Sequence, residues 1–241
     1  MKVLFPAILF SLLTSACIKE KSMSFTDQTL PIITTPASSG TKSYLALGDS
    51  YTIGESVAQQ ESFPFQLQSL LKAQNIDVSS PRIIATTGWT TDELQSAIKQ
   101  ADIRVKYDFV TLLIGVNNQY RGYPIDTYKK EFAALLQTAI AFTGDRKDHV
   151  FVVSIPDWGV TPFGKSSGKD IKIITQEIDV FNAANKEIAL ATGVSYTDIT
   201  PASRNAATDL KLVAKDGLHP SNKMYANWAT ELYPKVLKAL K

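Results

Sequence analysis

The alternation of two hydrophobic patterns along the chain constrains its fold more than any other feature. Short apolar runs bounded by turn residues, typical of buried strands, alternate with longer segments in which apolar residues recur at helical spacing. The strand candidates are 44–47, 82–85, 109–114, 150–155 and, more weakly, 194–197; the helical patterns are 63–75, 91–101, 125–142, 171–191 and 224–240. This order predicts an α/β fold, a three-layer α/β/α sandwich around a mainly parallel, flavodoxin-like sheet.

Composition narrows the class of protein. The chain has 241 residues, 44% of them hydrophobic and 20% charged, which suffices for one domain with a sizeable core. The formal net charge of +2 gives no electrostatic argument for a nucleic-acid partner. The sequence has no His and Cys cluster with metal-ligand spacing and no glycine-rich phosphate loop, so we predict neither a metal nor a cofactor.

The first residues have the pattern of an export signal. Met1-Lys2 precedes the apolar stretch 3–10, and small residues follow it before Cys17. A basic start, a short apolar core and small residues before a cut point are typical of a secretory signal, and the stretch is too short to span a bilayer comfortably. We therefore predict that residues 1–16 are a signal peptide.

Cys17 is the only cysteine, so the chain cannot form an internal disulfide. Its place after Ser15-Ala16 resembles a bacterial lipobox, although Thr14 stands where that pattern prefers an aliphatic residue. The resemblance implies cleavage before Cys17 and lipid attachment to it; an ordinary signal peptide followed by an incidental cysteine is the alternative. Residues 17–43 then form the lipidated cysteine and a flexible tether. The expected product is exported and held on a bacterial membrane by its lipid anchor, facing the periplasm or the cell surface.

A serine at the end of the first strand candidate is the best candidate nucleophile. Ser50 lies in Gly48-Asp49-Ser50-Tyr51, directly after the apolar run 44–47. A serine hydroxyl is a poor nucleophile until a base removes its proton, and histidine suits this role at working pH. The chain has two histidines, His149 and His219. His149 follows a charged turn and is expected to be a solvated loop residue, so His219 is the candidate base.

The other groups that acyl transfer needs are also present. Asp216 lies three residues before His219, and in a turn that spacing puts both side chains on one face. A carboxylate there would fix the imidazole tautomer and stabilise the imidazolium. Gly88 and Asn117 each follow a strand candidate, where open α/β sheets place their ligands, and each is a candidate donor to an oxyanion.

With these blocks in this order, the sequence resembles the SGNH hydrolases, the GDSL-type esterases and lipases. The four matching blocks are Gly48-Asp49-Ser50, Gly88, Gly115-Val116-Asn117-Asn118 and Asp216-Gly217-Leu218-His219-Pro220. They cover most of residues 44–241, which we predict to be the hydrolase domain. The resemblance implies Ser50 as nucleophile, His219 as base and Asp216 as its partner. It also implies an oxyanion hole from the backbone N–H groups of Ser50 and Gly88 and the side-chain amide of Asn117.

Two positions depart from the usual SGNH pattern, and a third argues against a different hydrolase class. Tyr51 stands where many members have leucine, and Asn118 stands where many have aspartate, so any role of that aspartate is in doubt. Neither departure removes a residue assigned to chemistry. Thr52 stands where an α/β-hydrolase nucleophile elbow needs glycine, which argues against that class.

The expected function is that of a serine esterase acting on a small-molecule or glycan ester. No extended apolar lid is evident, which favours short-chain or acetyl esters, with carbohydrate among the candidate carriers. A thioesterase or lysophospholipase on the same site, and a non-catalytic glycan-binding surface lipoprotein, stay open, as do the natural substrate and the oligomeric state. Residues 156–168 are predicted to be a long substrate-facing loop. Trp89, Tyr120, Arg121 and Trp158 lie near the predicted site without an assigned role.

Overall fold

The computed structural model of the protein describes residues 40–241. The predicted signal peptide, Cys17 and the predicted tether as far as residue 39 lie outside the described residues. Five strands run β1 (Tyr44–Asp49), β2 (Arg82–Thr86), β3 (Phe109–Leu113), β4 (Val150–Val153) and β5 (Ser195–Thr197). The helices are α1 (Ser50–Ile53), α2 (Phe63–Lys72), α3 (Thr91–Gln100), α4 (Val116–Tyr120), α5 (Ile125–Phe142), α6 (Pro162–Ser166), α7 (Ile171–Thr192), α8 (Thr200–Ser203) and α9 (Asn222–Leu240).

All neighbouring strands are parallel, in the order β2-β1-β3-β4-β5. Every residue of β1, β3 and β4 is buried, whereas the edge strands β2 and β5 are partly exposed. Central strands of a parallel sheet are covered on both faces, which explains why their sequences are continuous apolar runs. The order is the flavodoxin-like one, whose connections change direction between β1 and β3.

Two helical layers cover the sheet. α2 packs on α9, while α5 packs on both α3 and α7. The buried side of α9 includes Tyr225 and Trp228, and that of α5 includes Tyr128 and Phe132. The predicted three-layer α/β/α sandwich is confirmed. Among residues 40–241, no helix is long and apolar enough to cross a membrane.

The boundaries of the helices follow local chemistry. Thr90 precedes α3 and Glu93 accepts a hydrogen bond from the Thr90 backbone N–H at 2.9 Å, which is one half of a capping box. The sequence pattern predicts that the helix after Phe63 continues to residue 75, but α2 ends at Lys72. Asn75 has a φ of +60°, a left-handed conformation that ends a helix.

Two sequence predictions about loops need correction. The segment 156–168 is not one long loop, because it contains a 3₁₀ turn at Trp158–Val160 and then α6. His149 is not a solvated loop residue: it ends a 3₁₀ turn, is half-buried, and its Nδ1 lies 2.6 Å from the backbone oxygen of Asp108. That backbone contact and the start of β4 hold the ring against the domain.

Candidate active site

The carboxyl ends of the strands bring the predicted site residues to one edge of the sheet. In the parallel register Asp49 pairs with Thr86, and Gly48 pairs with both Ala85 and Leu113. The next residue of each strand therefore leaves the sheet at the same level. Ser50 follows β1, Gly88 follows β2 and Asn117 follows β3, at the point where the strand connections change direction.

Close packing at Gly48 sets the position of the candidate nucleophile. A Cβ atom there would lie 2.1 Å from Thr52 Oγ1 and 2.4 Å from the backbone oxygen of Leu113, so only glycine fits between α1 and β3. Asp49 caps α1, because its Oδ1 accepts a hydrogen bond from the Tyr51 N–H at 3.0 Å. Ser50 is therefore the first residue of the helix, where backbone N–H groups have no partner within the helix.

The side chains of Ser50, His219 and Asp216 form a continuous hydrogen-bonded chain. The Oγ of Ser50 lies 3.0 Å from Nε2 of His219, and Nδ1 of His219 lies 2.6 Å from Oδ2 of Asp216. Because a carboxylate only accepts hydrogen bonds, Nδ1 carries the proton in the neutral ring. Nε2 is then free to accept the hydroxyl proton of Ser50, which is the arrangement of a nucleophile, a base and an orienting acid.

A closed turn holds Asp216 and His219 as one unit. Val213 and Pro220 form an antiparallel bridge, and the Ala214 N–H donates to the His219 oxygen at 2.7 Å. Within the turn, Oδ1 of Asp216 accepts from the N–H groups of Leu218 at 2.9 Å and His219 at 3.0 Å. We call residues 213–220 the Asp-His turn.

The carboxylate of Asp216 is stabilised in its charged form. Its partial burial raises its pKa, but the hydrogen bonds donated by Ser56, Leu218 and His219 outweigh burial and lower the pKa to about 2. The side chain therefore stays ionised at neutral pH and carries the negative charge that an imidazolium at His219 would need beside it.

Gly88 and Asn117 face the same cavity as Ser50. Gly88 has a φ of +85°, which glycine adopts without strain. The Nδ2 of Asn117 donates to the Trp89 oxygen at 3.0 Å, which fixes the amide and leaves its second N–H for another acceptor. Asn118 points elsewhere: it is fully buried, accepts from the Thr91 N–H at 3.1 Å and donates to Thr91 Oγ1 at 2.7 Å. Asn118 thus anchors the start of α3.

Arg121 fixes the loop that carries Gly88. Its guanidinium donates to the Gly88 oxygen at 2.6 Å and to Glu93 Oε1 at 3.1 Å. Glu93 in turn accepts from the Thr90 N–H. The loop between β2 and α3 is therefore held at both Gly88 and Thr90 by side chains that do not belong to the hydrogen-bonded set of Ser50, His219 and Asp216.

The cavity above Ser50 has a volume of about 220 Å³. Its walls are mostly apolar and comprise Tyr51, Val116, Tyr120, Trp158, Phe163 and Leu218. Trp158 is the buried back wall, since it is only 2% exposed and its Nε1 donates to Gln119 at 2.7 Å. Tyr120 and Phe163 are 45% and 36% exposed and form the rim. Aromatic and apolar walls with few polar groups are typical of a small-molecule site.

Buried polar contacts hold the wall formed by residues 156–168. Asp157 accepts from the Gly159 N–H at 3.0 Å, from Thr175 Oγ1 at 2.8 Å and from Arg204 Nε at 2.9 Å. Lys169 lies with its Nζ 4.3 Å from the centre of the Tyr120 ring, a cation–π contact at the rim. The segment is therefore a fixed wall of the cavity.

Asp49, next to the candidate nucleophile, has an unusual environment. Its side chain is fully buried, and its Oδ2 has no hydrogen-bond partner among the described residues. Burial raises its pKa to about 7, although the Tyr51 N–H works in the opposite direction. Burial first, and then the charge of Asp49, also raise the pKa of Tyr51. The carboxyl of Asp49 is outside the hydrogen-bonded chain of Ser50, His219 and Asp216.

The structure thus brings Ser50, Gly88, Asn117 and His219 to one cavity, and Asp216 is hydrogen-bonded to His219 behind it. Of the residues left without a role by the sequence, Tyr120 and Trp158 line the cavity, Arg121 holds the Gly88 loop, and Trp89 contributes its backbone oxygen. Sequence reasoning missed Ser56, and no local signal identifies it, because it reaches the site through a contact between distant parts of the chain. Phe163 lies in the segment 156–168 that the sequence predicts to face the substrate, but the sequence does not single it out within that segment. Within residues 40–241, no group of three or more His, Cys, Asp or Glu side chains could hold a metal ion.

Comparisons with known proteins bear on the fold and the family of the chain. No curated protein matches the sequence significantly. The lipase/acylhydrolase from Enterococcus faecalis matches at a TM-score of 0.65 and 17% identity, over 83% of this chain and 97% of that one. The esterase EstA from Pseudoalteromonas sp. gives 0.59 and 19%, over 82% and 97%. A mutant of Axe2, an acetyl-xylooligosaccharide esterase from Geobacillus Stearmophilus, gives 0.59 and 18%, over 85% and 96%.

At these identities the solved structures establish the fold, and the family follows from the sequence. The sequence model of the GDSL-like lipase/acylhydrolase family matches residues 46–226, which is most of the chain and includes all four motif blocks. The chain therefore belongs to the GDSL-like lipase/acylhydrolase family, the SGNH hydrolases, and is a hydrolase of ester bonds.

Proposed function

We propose that the protein is a serine esterase that hydrolyses short-chain or acetyl esters through an acyl-enzyme on Ser50. The observation that carries the proposal is the hydrogen-bonded chain from Ser50 through His219 to Asp216, at 3.0 and 2.6 Å. It opens on a cavity that Gly88 and Asn117 also line. A nucleophile, a base, an orienting carboxylate and oxyanion donors at one cavity are together the requirements of acyl transfer.

The mechanism follows from this geometry. The Oγ of Ser50 attacks the ester carbonyl carbon while Nε2 of His219 takes the hydroxyl proton, and the carbonyl electron pair moves onto the oxygen. The N–H groups of Ser50 and Gly88 and the amide of Asn117 stabilise that oxyanion. The intermediate then expels the alcohol, which takes the proton from His219. Water attacks the acyl-enzyme with His219 again as base, and the acid leaves as Ser50 regains its proton.

Acyl groups of limited size fit the cavity best. Its volume of about 220 Å³ lies below the range of about 300–1,000 Å³ of pockets that hold drug-sized ligands. The aromatic rim of Tyr120 and Phe163 offers flat apolar surface to the alcohol part of a substrate. The fold likeness to an acetyl-xylooligosaccharide esterase supports acetylated carbohydrate as one candidate carrier.

A panel of substrates tests this proposal. p-Nitrophenyl esters from acetate to palmitate, together with acetylated xylo-oligosaccharides, are compared by kcat/KM. We expect the highest values for the shortest acyl groups and none for Ser50→Ala, which should also lose labelling by a fluorophosphonate probe. Undiminished labelling of Ser50→Ala would move the nucleophile to another serine. A maximum at long acyl chains would contradict the short-chain assignment.

A thioesterase or lysophospholipase activity is the second candidate. The observation in its favour is the apolar wall of Val116, Trp158 and Leu218, which would accept a medium acyl chain. Acyl thioesters and lysophospholipids of matched chain length, run beside the esters, separate the two. A kcat/KM at least tenfold higher on either class than on the best oxygen ester would favour the second candidate.

We also propose, from the sequence alone, that the mature chain begins at a lipidated Cys17 and is anchored on a membrane outside the cytoplasm. Several acyl chains together would give stable anchoring, since each buried CH₂ contributes about 0.8 kcal/mol. Metabolic labelling with palmitate and membrane fractionation of wild type and Cys17→Ala test this. Recovery of the wild type as unlabelled soluble protein would reduce Cys17 to an incidental residue beside a signal cleavage site.

A further inference from the structure

Ser56, just beyond the helix that carries Ser50, has a strained backbone. Its φ is +66°, and the other non-glycine residues with positive φ within residues 40–241 are Asn75, Asp102 and Asp145. Asn and Asp tolerate this conformation because their short side chains can hydrogen-bond locally, whereas serine has no such preference. An outlier of this kind persists only where the surrounding structure holds it, and such residues cluster at functional sites.

What holds Ser56 is a hydrogen bond to the Asp-His turn. Its Oγ donates to Oδ2 of Asp216 at 2.6 Å, and the same oxygen accepts from Nδ1 of His219 at 2.6 Å. The other oxygen, Oδ1, accepts the two backbone N–H groups of Leu218 and His219. Each carboxylate oxygen thus has two donors, which fills the acceptor positions of the group. Three of these donors belong to the Asp-His turn itself, and Ser56 is the one from another part of the chain.

The residue before Ser56 ties the same segment to the opposite side of the site. Glu55 accepts a hydrogen bond from the hydroxyl of Thr87, which lies next to Gly88. The short segment after α1 therefore contacts both the Asp-His turn and the Gly88 loop. Its backbone conformation is the one that lets Ser56 reach Asp216 while Glu55 reaches Thr87.

We propose that Ser56 is a positioning residue of the esterase site, whose hydroxyl fixes the Asp216 carboxylate in the plane that orients His219 toward Ser50. The inference rests on the proposed function of this site. Ser56 does not line the cavity and makes no hydrogen bond to Ser50, so it acts through Asp216. Without it, Oδ2 would keep only its bond to His219, and no donor from outside the Asp-His turn would fix the carboxylate against Nδ1.

The ionisable groups near Asp216 come from its own turn, from the segment after α1 and from two buried phenols. His219 is bonded to it, Glu55 adjoins Ser56 in sequence and Lys215 precedes Asp216. The phenols of Tyr51 and Tyr225 sense its charge, but burial foremost raises their pKa values, so both stay neutral in an ordinary assay. Burial raises the pKa of Asp216, but its hydrogen-bond donors, with Ser56 first among them, outweigh burial and lower the pKa to about 2.

Three variants separate positioning from folding. Ser56→Gly removes the hydroxyl and relieves the strained backbone, so it should keep or raise Tm while kcat falls about five- to tenfold with KM within about twofold. Ser56→Ala removes the hydroxyl and keeps the strain, so it should show the same loss of kcat with a lower Tm. Asn75→Gly is the matched control, because Asn75 has a φ of +60° and is outside the site; its kcat should stay at the wild-type value.

Two readouts decide the inference. If kcat of Ser56→Gly equals that of the wild type, or if only KM changes, Ser56 does not position the triad. The second readout needs no turnover: NMR titration of the Asp216 carboxyl in Ser50→Ala, with and without Ser56→Gly. The pKa of Asp216 should rise when Ser56 is lost, and an unchanged pKa would overturn the inference. A wild type that neither hydrolyses esters nor reacts with a fluorophosphonate would instead count against the proposed function, and the titration would still test Ser56.

Discussion

The two histidines of the chain make contacts of equal length in different chemical surroundings. Nδ1 of His219 lies 2.6 Å from a carboxylate oxygen of Asp216, and Nδ1 of His149 lies 2.6 Å from the backbone oxygen of Asp108. His219 stands at the carboxyl edge of the sheet with Ser50 at its other nitrogen, whereas His149 precedes β4 at the amino edge. The comparison teaches that contact length alone does not distinguish the candidate base from a structural histidine. The distinguishing features of His219 are its anionic partner and the proton donor at its second nitrogen.

The largest effect on activity is expected when the imidazole ring of His219 is removed. His219→Ala should lower kcat by about 10⁴–10⁶, the order of loss when a triad base is deleted. His149→Ala should keep kcat close to the wild-type value, because its ring contacts only a distant edge of the domain. Steady-state hydrolysis of p-nitrophenyl acetate measures both variants. The reverse pattern would make His149 the base and end the comparison.

Exchanging the anionic partner tests what the carboxylate contributes. Asp216→Asn presents an amide to Nδ1 and favours the wrong tautomer, so kcat should fall by about 10⁴. Asp108→Asn is the matched control, since the backbone oxygen that His149 contacts is unchanged. The Asp108 side chain holds Ser43 at 2.7 and 2.9 Å and pairs with Lys42 at 4.0 Å, away from the candidate site. Its kcat should be that of the wild type. Equal losses in both variants would point to general destabilisation in place of a specific role for Asp216.

Two adjacent asparagines allow the same comparison between a residue proposed to act in catalysis and one that stabilises the fold. Asn117→Ala removes a candidate oxyanion donor and should cost about 10²–10³ in kcat, or about 3–4 kcal/mol, with little change in KM. Asn118→Ala breaks the buried bonds to Thr91 and should lower the free energy of unfolding by about 1–3 kcal/mol. Kinetics and urea denaturation on both variants separate these effects. A loss of substrate affinity alone would place Asn117 in ground-state binding.

The carboxyl groups of Asp49 and Asp216 should make stability depend on pH in opposite directions. The folded-state pKa of Asp49, about 7, lies above its unfolded value, so its contribution is fully present below about pH 4 and is lost as pH rises through 7. The pKa of Asp216, about 2, lies below its unfolded value, so its contribution is present above about pH 4 and is lost as pH falls through 2.

A change of stability with pH, and not of activity, follows from that difference in sign. Between pH 4.5 and 7.5 the wild type should lose about 2–3 kcal/mol of unfolding free energy through Asp49, and Asp49→Asn should lack this part of the slope. Urea denaturation of both proteins at the two pH values measures it. Parallel stability curves for the two proteins would show that Asp49 is not protonated on folding.

Much of the fold could be predicted from sequence because the patterns that specify it are local. The buried runs of β1, β3 and β4 and the apolar periodicity of α5 lie within single elements, and the predicted bounds of α5 match the observed ones. The candidate site residues were predictable because the carboxyl ends of parallel strands meet at one edge. Gly88 and Asn117 could be placed there before any coordinates were known.

The features of the site that could not be predicted from sequence depend on contacts between distant segments. The bond from Ser56 to Asp216 joins residues 160 positions apart, and nothing in the neighbourhood of Ser56 in the sequence points to it. Phe163 reaches the cavity because α6 folds back beside the Asp-His turn, with the Phe163 N–H donating to the Gly217 oxygen at 2.9 Å. The burial of Asp49 likewise required the packed structure, because sequence alone shows a polar residue at a strand end.

The hydrogen bond between Ser50 and His219 spans 169 residues, so an activity that depends on it should return late in folding. Closing so long a loop is entropically costly, and long-range parallel pairing forms slowly compared with helices. Helical signal in circular dichroism should therefore return before hydrolysis does when the unfolded chain is diluted from urea. Turnover should then report only those chains in which the Asp-His turn has docked against Ser50, and partly folded chains should show no hydrolysis.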